Sequence, residues 1–326
     1  MSRKVAKKTL LLMRHGKADA LLSAHESALM KPLDDAGKRN AQRMGAWLAA
    51  QALIPDEILS SSAERAIVSA EKCVKSMGIG VLDLRVDHRL FKAEAKRFIK
   101  SISRLSEHSR CVLVVADGAG LAALMHALLP EGADIQKLKA TSMAVLSLNS
   151  PWPDLLGKGS VKLDQCVHAA DLPRQFPFPD PNSSELRDRP SYYYRQSAVI
   201  PYRFKHQRIE ILLIGSSSNK HWVVPKGIHE PGMSARNSAA KEALEEAGAE
   251  GMVGHKPLGE YAYAKWGAVC QVKVFPMRVG HMQNKKEWQE SHRKRQWCSV
   301  KKAKSVLHQQ ALVQMLNRLV KTVSDQ

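Results

Sequence analysis

The stretch from Gly227 to Gly248 constrains the fold more than any other part of the sequence. Pro231 and Gly232 predict a turn, and Ser234 just after them is a typical N-cap residue. Gly248 is typical of the residue that ends a helix. The stretch therefore predicts a turn followed by a helix with a defined start and stop.

Glutamates gather on one face of that helix. Glu242, Glu245 and Glu246 are spaced i, i+3 and i+4, so their side chains lie on the same side. Like charges this close oppose helix formation unless a cation joins them. Carboxylate oxygens are ligands that suit Mg²⁺ or Mn²⁺. A cation held by them keeps open positions for water and for phosphate oxygens. A solvated acidic helix face is the alternative that any run of charges offers.

The whole stretch resembles the Nudix box, Gly-x5-Glu-x7-Arg-Glu-U-x-Glu-Glu-x-Gly-U, in which U is apolar. Two positions depart from the pattern: Met233 stands for the first glutamate, and Lys241 stands for the arginine. Lys241 keeps the positive charge but loses the bidentate guanidinium fork. The resemblance covers about residues 196–322. It includes QSAVIPYRFKHQRIEILLIGSSSNKHWVVPKG before the box and CQVKVFPMRV and EWQESHRKRQWCSVKKAKSVL after it.

The resemblance is to the Nudix branch that acts on diphosphoinositol and diadenosine polyphosphates. It implies a metal-dependent pyrophosphohydrolase in which Glu242, Glu245 and Glu246 hold the metal. The base that activates water is then one of these glutamates or Glu290. Candidates for binding the phosphate chain are Arg203, Lys226, Arg293 and Arg295. The tryptophans of this half, Trp222, Trp266, Trp288 and Trp297, are expected mainly to pack in the core or rim, with stacking on a base as the alternative.

The first half of the chain alternates short apolar strands with helical stretches. Thr9–Met13 reads as a strand and Asp35–Ala50 as a helix, and similar pairs follow. This alternation predicts a mostly parallel sheet with helices on both faces. Ligands of such sheets bind beyond the carboxyl ends of the strands, where Arg14, His15 and Gly16 follow the first one.

Three segments of this half resemble the histidine phosphatase superfamily, in its small phosphohistidine-phosphatase branch: LLLMRHGKAD, KPLDDAGKRNAQRMGAWLA and ILSSSAERAIVSAE. The resemblance covers about residues 8–173 and implies a phosphate pocket that contains Arg14, His15 and Arg65. The family's Gly-His-Asn-Pro-Gly segment appears here as Ala-Asp-Gly-Ala-Gly, so Asp117 stands where the second histidine would be.

A carboxylate at position 117 opposes phosphate binding. Two unit charges about 4 Å apart repel by about 4 kcal/mol at an effective dielectric constant near 20. We therefore expect this domain to be inactive or modified. The alternative is a bifunctional protein in which the first domain keeps phosphatase activity.

Composition changes after Pro173, where prolines are interspersed with polar residues. We predict a histidine-phosphatase-like domain over 1–173, a proline-rich linker over 174–195 and a Nudix domain over 196–326. The predicted fold class is α/β: a three-layer α/β/α domain followed by an α/β/α sandwich. The helices predicted in the second domain are Ser234–Ala247 and Ser299–Val320.

The balance of 50 basic against 31 acidic residues gives a net charge of +19, which predicts a polyanionic partner. Two successive folds that bind phosphate favour a small phosphate-rich substrate: a dinucleoside polyphosphate, a nucleoside triphosphate or a diphosphoinositol polyphosphate. Nucleic-acid binding or RNA 5′-pyrophosphohydrolysis is the alternative, because basic residues cluster around 293–295 and 301–304. No RNP, KH or helix-turn-helix signature supports it.

The five cysteines are widely spaced, with no CxxC pair, which favours reduced thiols. We expect a cytoplasmic protein with no membrane partner. The sequence leaves the oligomeric state open.

Overall fold

The chain forms two compact units, Met1–Pro190 and Ser191–Gln326. The computed structural model describes residues 7–19, 27–81, 84–135, 137–155 and 157–324. Residues 174–190, which the sequence assigns to a linker over 174–195, group with the first unit. They carry a two-stranded ribbon of β7 (Phe176–Pro177) and β8 (Leu186–Arg187).

A six-stranded sheet organises the first unit. Its strands are β1 (Lys8–Arg14), β2 (Glu57–Ser61), β3 (Leu84–Asp87), β4 (Cys111–Ala116), β5 (Ser142–Leu148) and β6 (Lys162–His168). Their order is β3-β2-β4-β1-β5-β6. The first four in this order are parallel, whereas β5 and β6 are antiparallel to their neighbours. The predicted mostly parallel sheet is confirmed.

Helices cover both faces of this sheet. They are α1 (Asp35–Ala50), α2 (Glu64–Ser76), α3 (Ala95–Ile102) and α4 (Gly118–Leu128). Because side chains alternate along a strand, Leu10 and Leu12 of β1 enter one core cluster with residues of α3 and α4. Leu11 and Met13 enter the other, with residues of α1 and α2. The unit has the predicted three layers.

The second unit is built on a mixed eight-stranded sheet. Its strands are β9 (Arg195–Lys205), β10 (Arg208–Gly215), β11 (Trp222–Val223), β12 (Lys226–Ile228), β13 (Ala249–Val253), β14 (Gly259–Lys265), β15 (Ala268–Met282) and β16 (Arg295–Ser299). The long strands β9 and β15 pair in parallel at its centre, and the other pairs are antiparallel.

Three helices pack on this sheet: α5 (Ala235–Ala247), α6 (Val300–Val306) and α7 (Gln310–Ser324). α5 packs on one face through Ala239 and Ala243, which contact the cluster containing Val199 and Phe275. Residues of α6 and α7 belong to a separate cluster. The unit is an α/β/α sandwich, as predicted.

The ends of α5 form as the sequence predicts. The Ser234 side chain accepts a hydrogen bond from the backbone N–H of Asn237, which caps the first turn. Gly248 follows the last turn with φ of 59°, a left-handed conformation that glycine adopts at low cost.

The prediction of one helix over Ser299–Val320 is wrong. The chain leaves the helical conformation at Leu307, where ψ is 119°, and resumes it at Gln310. Leu307 is buried in the same core cluster as Leu312, so tertiary packing overrides the local helical pattern. His308 and Gln309 thereby lie in a short connection.

Among the described residues, no helix combines the length and apolarity needed to cross a bilayer.

The contact between α1 and α2 depends on Gly45, because a Cβ there would clash with the backbone oxygen of Cys73. We predict that Gly45→Ala destabilises the first unit by about 1–3 kcal/mol through overpacking. Gly157→Ala is the control, since no described atom lies within 4 Å of its added methyl. Calorimetric unfolding of the full chain measures both. Equal midpoints for the two variants would contradict this packing.

Candidate active sites

The first candidate site lies at the carboxyl ends of two neighbouring strands. β1 and β4 are parallel, with Arg14 opposite Ala116. The backbone N–H of His15 donates to the carbonyl of Ala116 at 3.1 Å. His15 directly follows β1 and Asp117 directly follows β4. The strand register therefore brings both residues to the same edge of the sheet.

Two hydrogen bonds fix the protonation of the His15 ring. Nδ1 lies 2.7 Å from the Gly16 carbonyl oxygen, which can only accept, so Nδ1 carries the proton. Arg65 Nε donates to His15 Nε2 at 2.9 Å, so Nε2 must offer its lone pair. Burial is the main cause that lowers the pKa of the imidazole to about 4; the Arg65 and Arg14 charges act in the same direction, against the hydrogen bond to Gly16 and the Asp117 charge. His15 is thus a neutral imidazole whose Nε2 lone pair faces a guanidinium.

Asp117 uses one carboxylate oxygen to cap α4. Its Oδ1 accepts from the backbone N–H groups of Ala119 and Gly120 at 3.1 and 3.0 Å. Its Oδ2 is buried and has no hydrogen-bond partner among the described residues. The Asp117 charge also raises the pKa of Arg65 against the larger effect of burial. The negative charge therefore lies within reach of the groups that would hold a phosphate.

Arg14 completes this edge of the sheet. Its Nη1 donates to the Leu138 carbonyl at 2.8 Å, while its Nε is buried without a hydrogen-bond partner among the described residues. A Cβ on Gly118 would come within 2.9 Å of the Arg14 side chain, so glycine makes room for the guanidinium beside α4. The structure brings together all the residues predicted for this pocket: Arg14, His15, Arg65 and Asp117.

The second candidate site is the acidic face of α5. The Glu242 carboxylate lies so close to Gly227 of β12 that any side chain there would clash with it. Burial, and then the charges of Glu246 and Glu245, raise the pKa of Glu242 to about 8. Within the described part of the chain, Glu242 has no hydrogen-bond or ion-pair partner. Its carboxylate oxygens therefore remain open to a cation or to water.

Glu246 is held from two sides. Its Oε2 accepts from the backbone N–H of Lys226 at 2.8 Å, and its Oε1 accepts from Arg293 Nη2 at 2.7 Å. Arg293 also donates to Glu290 Oε2 at 2.5 Å. The guanidinium thus joins two carboxylates that are distant in the sequence, and it brings the predicted base Glu290 beside the helix face.

Lys241 forms ion pairs with two other carboxylates of this site. Its ammonium lies 3.0 Å from Glu245 and 3.7 Å from Glu230. Position 233, where the Nudix pattern has glutamate, carries Met, and Glu230 brings a carboxylate to Lys241 from three residues earlier. Lys241 therefore balances charge at the edge of the acidic face.

The three glutamates suit a hard divalent cation by their chemistry. They do not converge on one point, however, and the described residues contain no group of three His, Cys, Asp or Glu side chains arranged to hold a metal ion. Lys241 holds Glu245, whereas Lys226 and Arg293 hold Glu246. A cation would have to draw Glu245 away from its lysine.

Two predicted phosphate ligands have structural partners of their own. Arg203 pairs with Glu210 at 2.7 Å, and its guanidinium lies 4.2 Å from the centre of the Trp297 ring. Arg295 donates to the carbonyls of Ala247 and Gln283 and lies over Trp288. The structure shows neither arginine in contact with the glutamates of α5.

A cavity of about 530 Å³ adjoins the acidic face. It is lined by Lys226, Glu246 and Arg293 together with residues of β11, β14 and the connection between α6 and α7. Lys226 Nζ donates to Tyr263 Oη at 3.0 Å and to Gln196 Oε1 at 3.2 Å. Lys226 and Arg293 are therefore the predicted substrate ligands that the structure brings to the glutamates.

Sequence reasoning missed much of the cavity wall. Tyr261 and Tyr263 of β14, and His221 and His308, all line it. The alternation of the two tyrosines was a usable signal, because residues i and i+2 of a strand share a face. Nothing local indicated His308, which reaches the cavity through the break in the predicted helix.

Comparison with known proteins finds matches for both units. Residues 10–94 match the family model of the histidine phosphatase superfamily (branch 1). The C-terminal part matches curated Nudix hydrolases. Nudix hydrolase 17, mitochondrial, from Arabidopsis thaliana is 32% identical over 135 residues, which are 38% of this chain and 72% of that protein. Diphosphoinositol polyphosphate phosphohydrolase 2 from Rattus norvegicus is 32% identical over 145 residues, which are 43% of this chain and 77% of that protein.

Among solved structures, the protein histidine phosphatase SixA in complex with tungstate aligns with 50% of this chain and 97% of its own length. The sequence identity is 18% and the TM-score is 0.44.

The His15 environment predicts an unusual titration. We expect the ring to stay neutral until the pH falls to about 4, as followed by the NMR shift of its C2 proton in the full chain. The unfolded chain takes up this proton near pH 6.5. The contribution of neutral His15 to stability is therefore complete above pH 6.5 and is lost as the pH falls toward 4.

Asp117→Asn is the matched variant for this titration. The Asp117 charge raises the pKa of His15, so its removal should lower the midpoint further. The His15→Gln spectrum assigns the signal. A midpoint near 6.5, or a midpoint that rises in Asp117→Asn, would contradict the described environment.

Proposed function

The chain belongs to the Nudix hydrolase family, and we propose that its second unit hydrolyses a phosphoanhydride bond in a polyphosphorylated small molecule with the help of Mg²⁺ or Mn²⁺. The observation that carries the proposal is the partly buried Glu242 carboxylate, packed on Gly227 and flanked by Glu245 and Glu246. Candidate substrates are dinucleoside polyphosphates, nucleoside triphosphates and diphosphoinositol polyphosphates. The last class is named for a relative of this chain.

Glu242, Glu245 and Glu246 would hold the cation. A divalent ion bound there supplies neutralisation of phosphate oxygens and an acidified water. The protein itself positions the ligands and the substrate. Lys226 and Arg293 hold Glu246, and they line the cavity, where their cationic groups would attract a phosphate chain. Arg203 and Arg295 are proposed only as outer contributors to the positive field.

The base that removes a proton from water is Glu242, Glu245 or Glu290. The backbone N–H of Glu290 donates to the Glu245 carbonyl at 3.2 Å, which ties its loop to α5. Arg293 holds its carboxylate beside Glu246. Glu290 is therefore close to the acidic face without belonging to the helix, a position suited to a base that does not bind the metal.

For the first unit, we propose a modified pocket without efficient phosphatase activity. The His15 ring, Arg14 and Arg65 retain the arrangement of a phosphate site, which supports the alternative of a second activity. The Asp117 carboxylate opposes it, because it adds negative charge where phosphate oxygens would bind.

Loss of single carboxylates tests the Nudix chemistry. We predict that Glu242→Gln and Glu246→Gln each lower kcat by about a hundredfold or more, since each removes a negative ligand from the cation. The assay is a hydrolysis panel of dinucleoside polyphosphates, ordinary and oxidised nucleoside triphosphates, diphosphoinositol phosphates and capped RNA. Chelation should abolish turnover, and added Mg²⁺ or Mn²⁺ should restore it.

Glu250→Gln is the control, because Glu250 is an exposed acidic residue just beyond α5. Mn²⁺ binding, measured by electron paramagnetic resonance, separates ligands from the base. Ligand variants should lose both binding and turnover, whereas Glu290→Gln should lose turnover alone if Glu290 is the base. Turnover in Glu242→Gln and Glu246→Gln equal to that of the wild type would refute the proposal.

Restoring a histidine tests the first unit. We predict that Asp117→His raises hydrolysis of a phosphohistidine or phosphoester by about tenfold or more, because relief of about 1.4 kcal/mol of repulsion already gives that factor. His15→Ala in the same background should remove the gain. A variant that still fails to bind inorganic phosphate would show that the pocket has lost more than this charge.

A further inference from the structure

We propose that Glu230 is a positioning residue of the second unit, which takes over the Lys241 ammonium when Glu245 binds the divalent cation. This inference rests on the proposed hydrolase function and adds a residue that acts on its metal site through a lysine. It follows from the ion pairs that Lys241 shares, from the turn that carries Glu230 and from the contacts that hold this turn on α5.

Lys241 lies between two carboxylates. Its ammonium is 3.0 Å from Glu245, which is hydrogen-bond distance, and 3.7 Å from Glu230. Charge-assisted hydrogen bonds of this type are about 2.8 Å long, so a displacement of about 1 Å would complete the bond to Glu230. The structure therefore shows a lysine with one close partner and a second partner within reach.

The two uses of Glu245 compete. Its carboxylate pairs with Lys241 in this structure, whereas its proposed role is to hold a divalent cation. A lysine that lost Glu245 without another partner would leave a partly buried ammonium beside a cation, and the two charges would repel. Glu230 prevents this outcome, because its carboxylate can neutralise the ammonium while Glu245 is occupied.

A tight turn brings Glu230 to the helix. The backbone N–H of Met233 donates to the Glu230 carbonyl at 3.1 Å, and Gly232 has a φ of 77°. A glycine with positive φ at the third position and Pro231 at the second are typical of a type II turn. The first and last residues of such a turn lie within about 7 Å of each other. A carboxylate at position 230 can therefore act close to position 233, where the Nudix pattern has its glutamate.

The backbone of Glu230 is fixed independently of its side chain. Its N–H donates to Ser238 Oγ at 3.1 Å, and the Ser238 hydroxyl donates to the Ile228 carbonyl at 3.1 Å. Ser238 is fully buried and lies three residues before Lys241, so both side chains project from the same side of α5. Replacement of the Glu230 carboxylate should therefore leave the turn in place.

The amino acid at position 241 suits an exchange of partners. A lysine ammonium is a compact charge on a flexible stem, whereas the arginine of the Nudix pattern ends in a rigid fork. The Lys241 side chain is 37% exposed and the Glu230 side chain only 15%. The cation is thus the group with room to move, and the carboxylate is the fixed group that receives it.

Titration of the full chain with Mn²⁺, followed by electron paramagnetic resonance at physiological ionic strength, tests this exchange. We expect Glu230→Gln to raise the Kd for Mn²⁺ about fivefold or more, because the lysine then loses the carboxylate that would replace Glu245. The Mn²⁺ concentration that half-saturates hydrolysis should rise by the same factor, while kcat at saturating Mn²⁺ should change by less than about twofold.

Glu250→Gln is the control for a general loss of negative charge, because Glu250 is exposed just beyond α5. Its Kd for Mn²⁺ should stay within about twofold of the wild-type value, since salt screens distant charges. A rise in Glu250→Gln equal to that in Glu230→Gln would contradict a specific role of Glu230.

A double-mutant cycle with Lys241→Met isolates the part played by the lysine, because methionine keeps an unbranched stem without the charge. In this background Glu230→Gln should change the Kd for Mn²⁺ by about twofold or less, since the ammonium that links Glu230 to Glu245 is gone. Equal effects in the two backgrounds would show that Glu230 acts on the cation directly, and this would overturn the inference. If Glu230→Gln fails to fold by circular dichroism, Glu230→Asp replaces it, because aspartate keeps the charge but withdraws the carboxylate by one methylene.

Failure of the inference is distinguishable from failure of the proposed function. An unchanged Kd in Glu230→Gln would overturn the inference, and hydrolysis that depends on Glu242 would then leave the proposed function intact. Mn²⁺ binding that follows the predicted cycle, without hydrolysis of any substrate, would support the exchange at Lys241 and refute the proposed hydrolase.

Discussion

The close approach of Glu242 to the backbone of Gly227 is the contact on which the second unit depends. It places the carboxylate where burial, and then the neighbouring charges of the same sign, raise its pKa to about 8. Keeping such a group ionised requires compensation. The surrounding structure supplies it to the neighbours of Glu242: Lys241 balances Glu245, and Arg293 with the Lys226 backbone holds Glu246. The glycine turn, the capped helix and the basic side chains are therefore parts of one electrostatic arrangement.

Features coded by neighbouring residues could be predicted from the sequence. The helix Asp35–Ala50 has the predicted bounds, and α5 begins and ends at the predicted caps. These signals succeed because capping and periodicity act within a few residues. The prediction of one helix over Ser299–Val320 is wrong because Leu307 is buried in the core and the helix ends there. Such burial is a tertiary effect that the local pattern does not contain. The candidate sites divide in the same way: their motif residues were foreseen, whereas the cavity wall joins elements that are far apart in the chain.

Basic residues of similar appearance in the sequence differ in what they do. Arg293 lies 2.7 Å from Glu246, while its near neighbour Arg295 binds backbone carbonyls. Arg293 lies in a bend before β16, whereas Arg295 begins that strand, so a cluster of charges in the sequence does not form one surface. Internal ion pairs cancel one charge of each sign, so they leave an excess of +19. What remains acts at long range, as attraction for any polyanion, and does not by itself select one.

Asp117 has a structural role besides its place in the candidate phosphate pocket. Its Oδ1 caps α4, and a good N-cap stabilises a helix by about 1 kcal/mol. Asp117 therefore stabilises the fold of the first unit whether or not that unit catalyses a reaction. A return to histidine would exchange that helix cap for a phosphate ligand. Aspartate at this position favours stability, whereas histidine would favour phosphate binding, so the helix behind the pocket can hold the pocket in its present form.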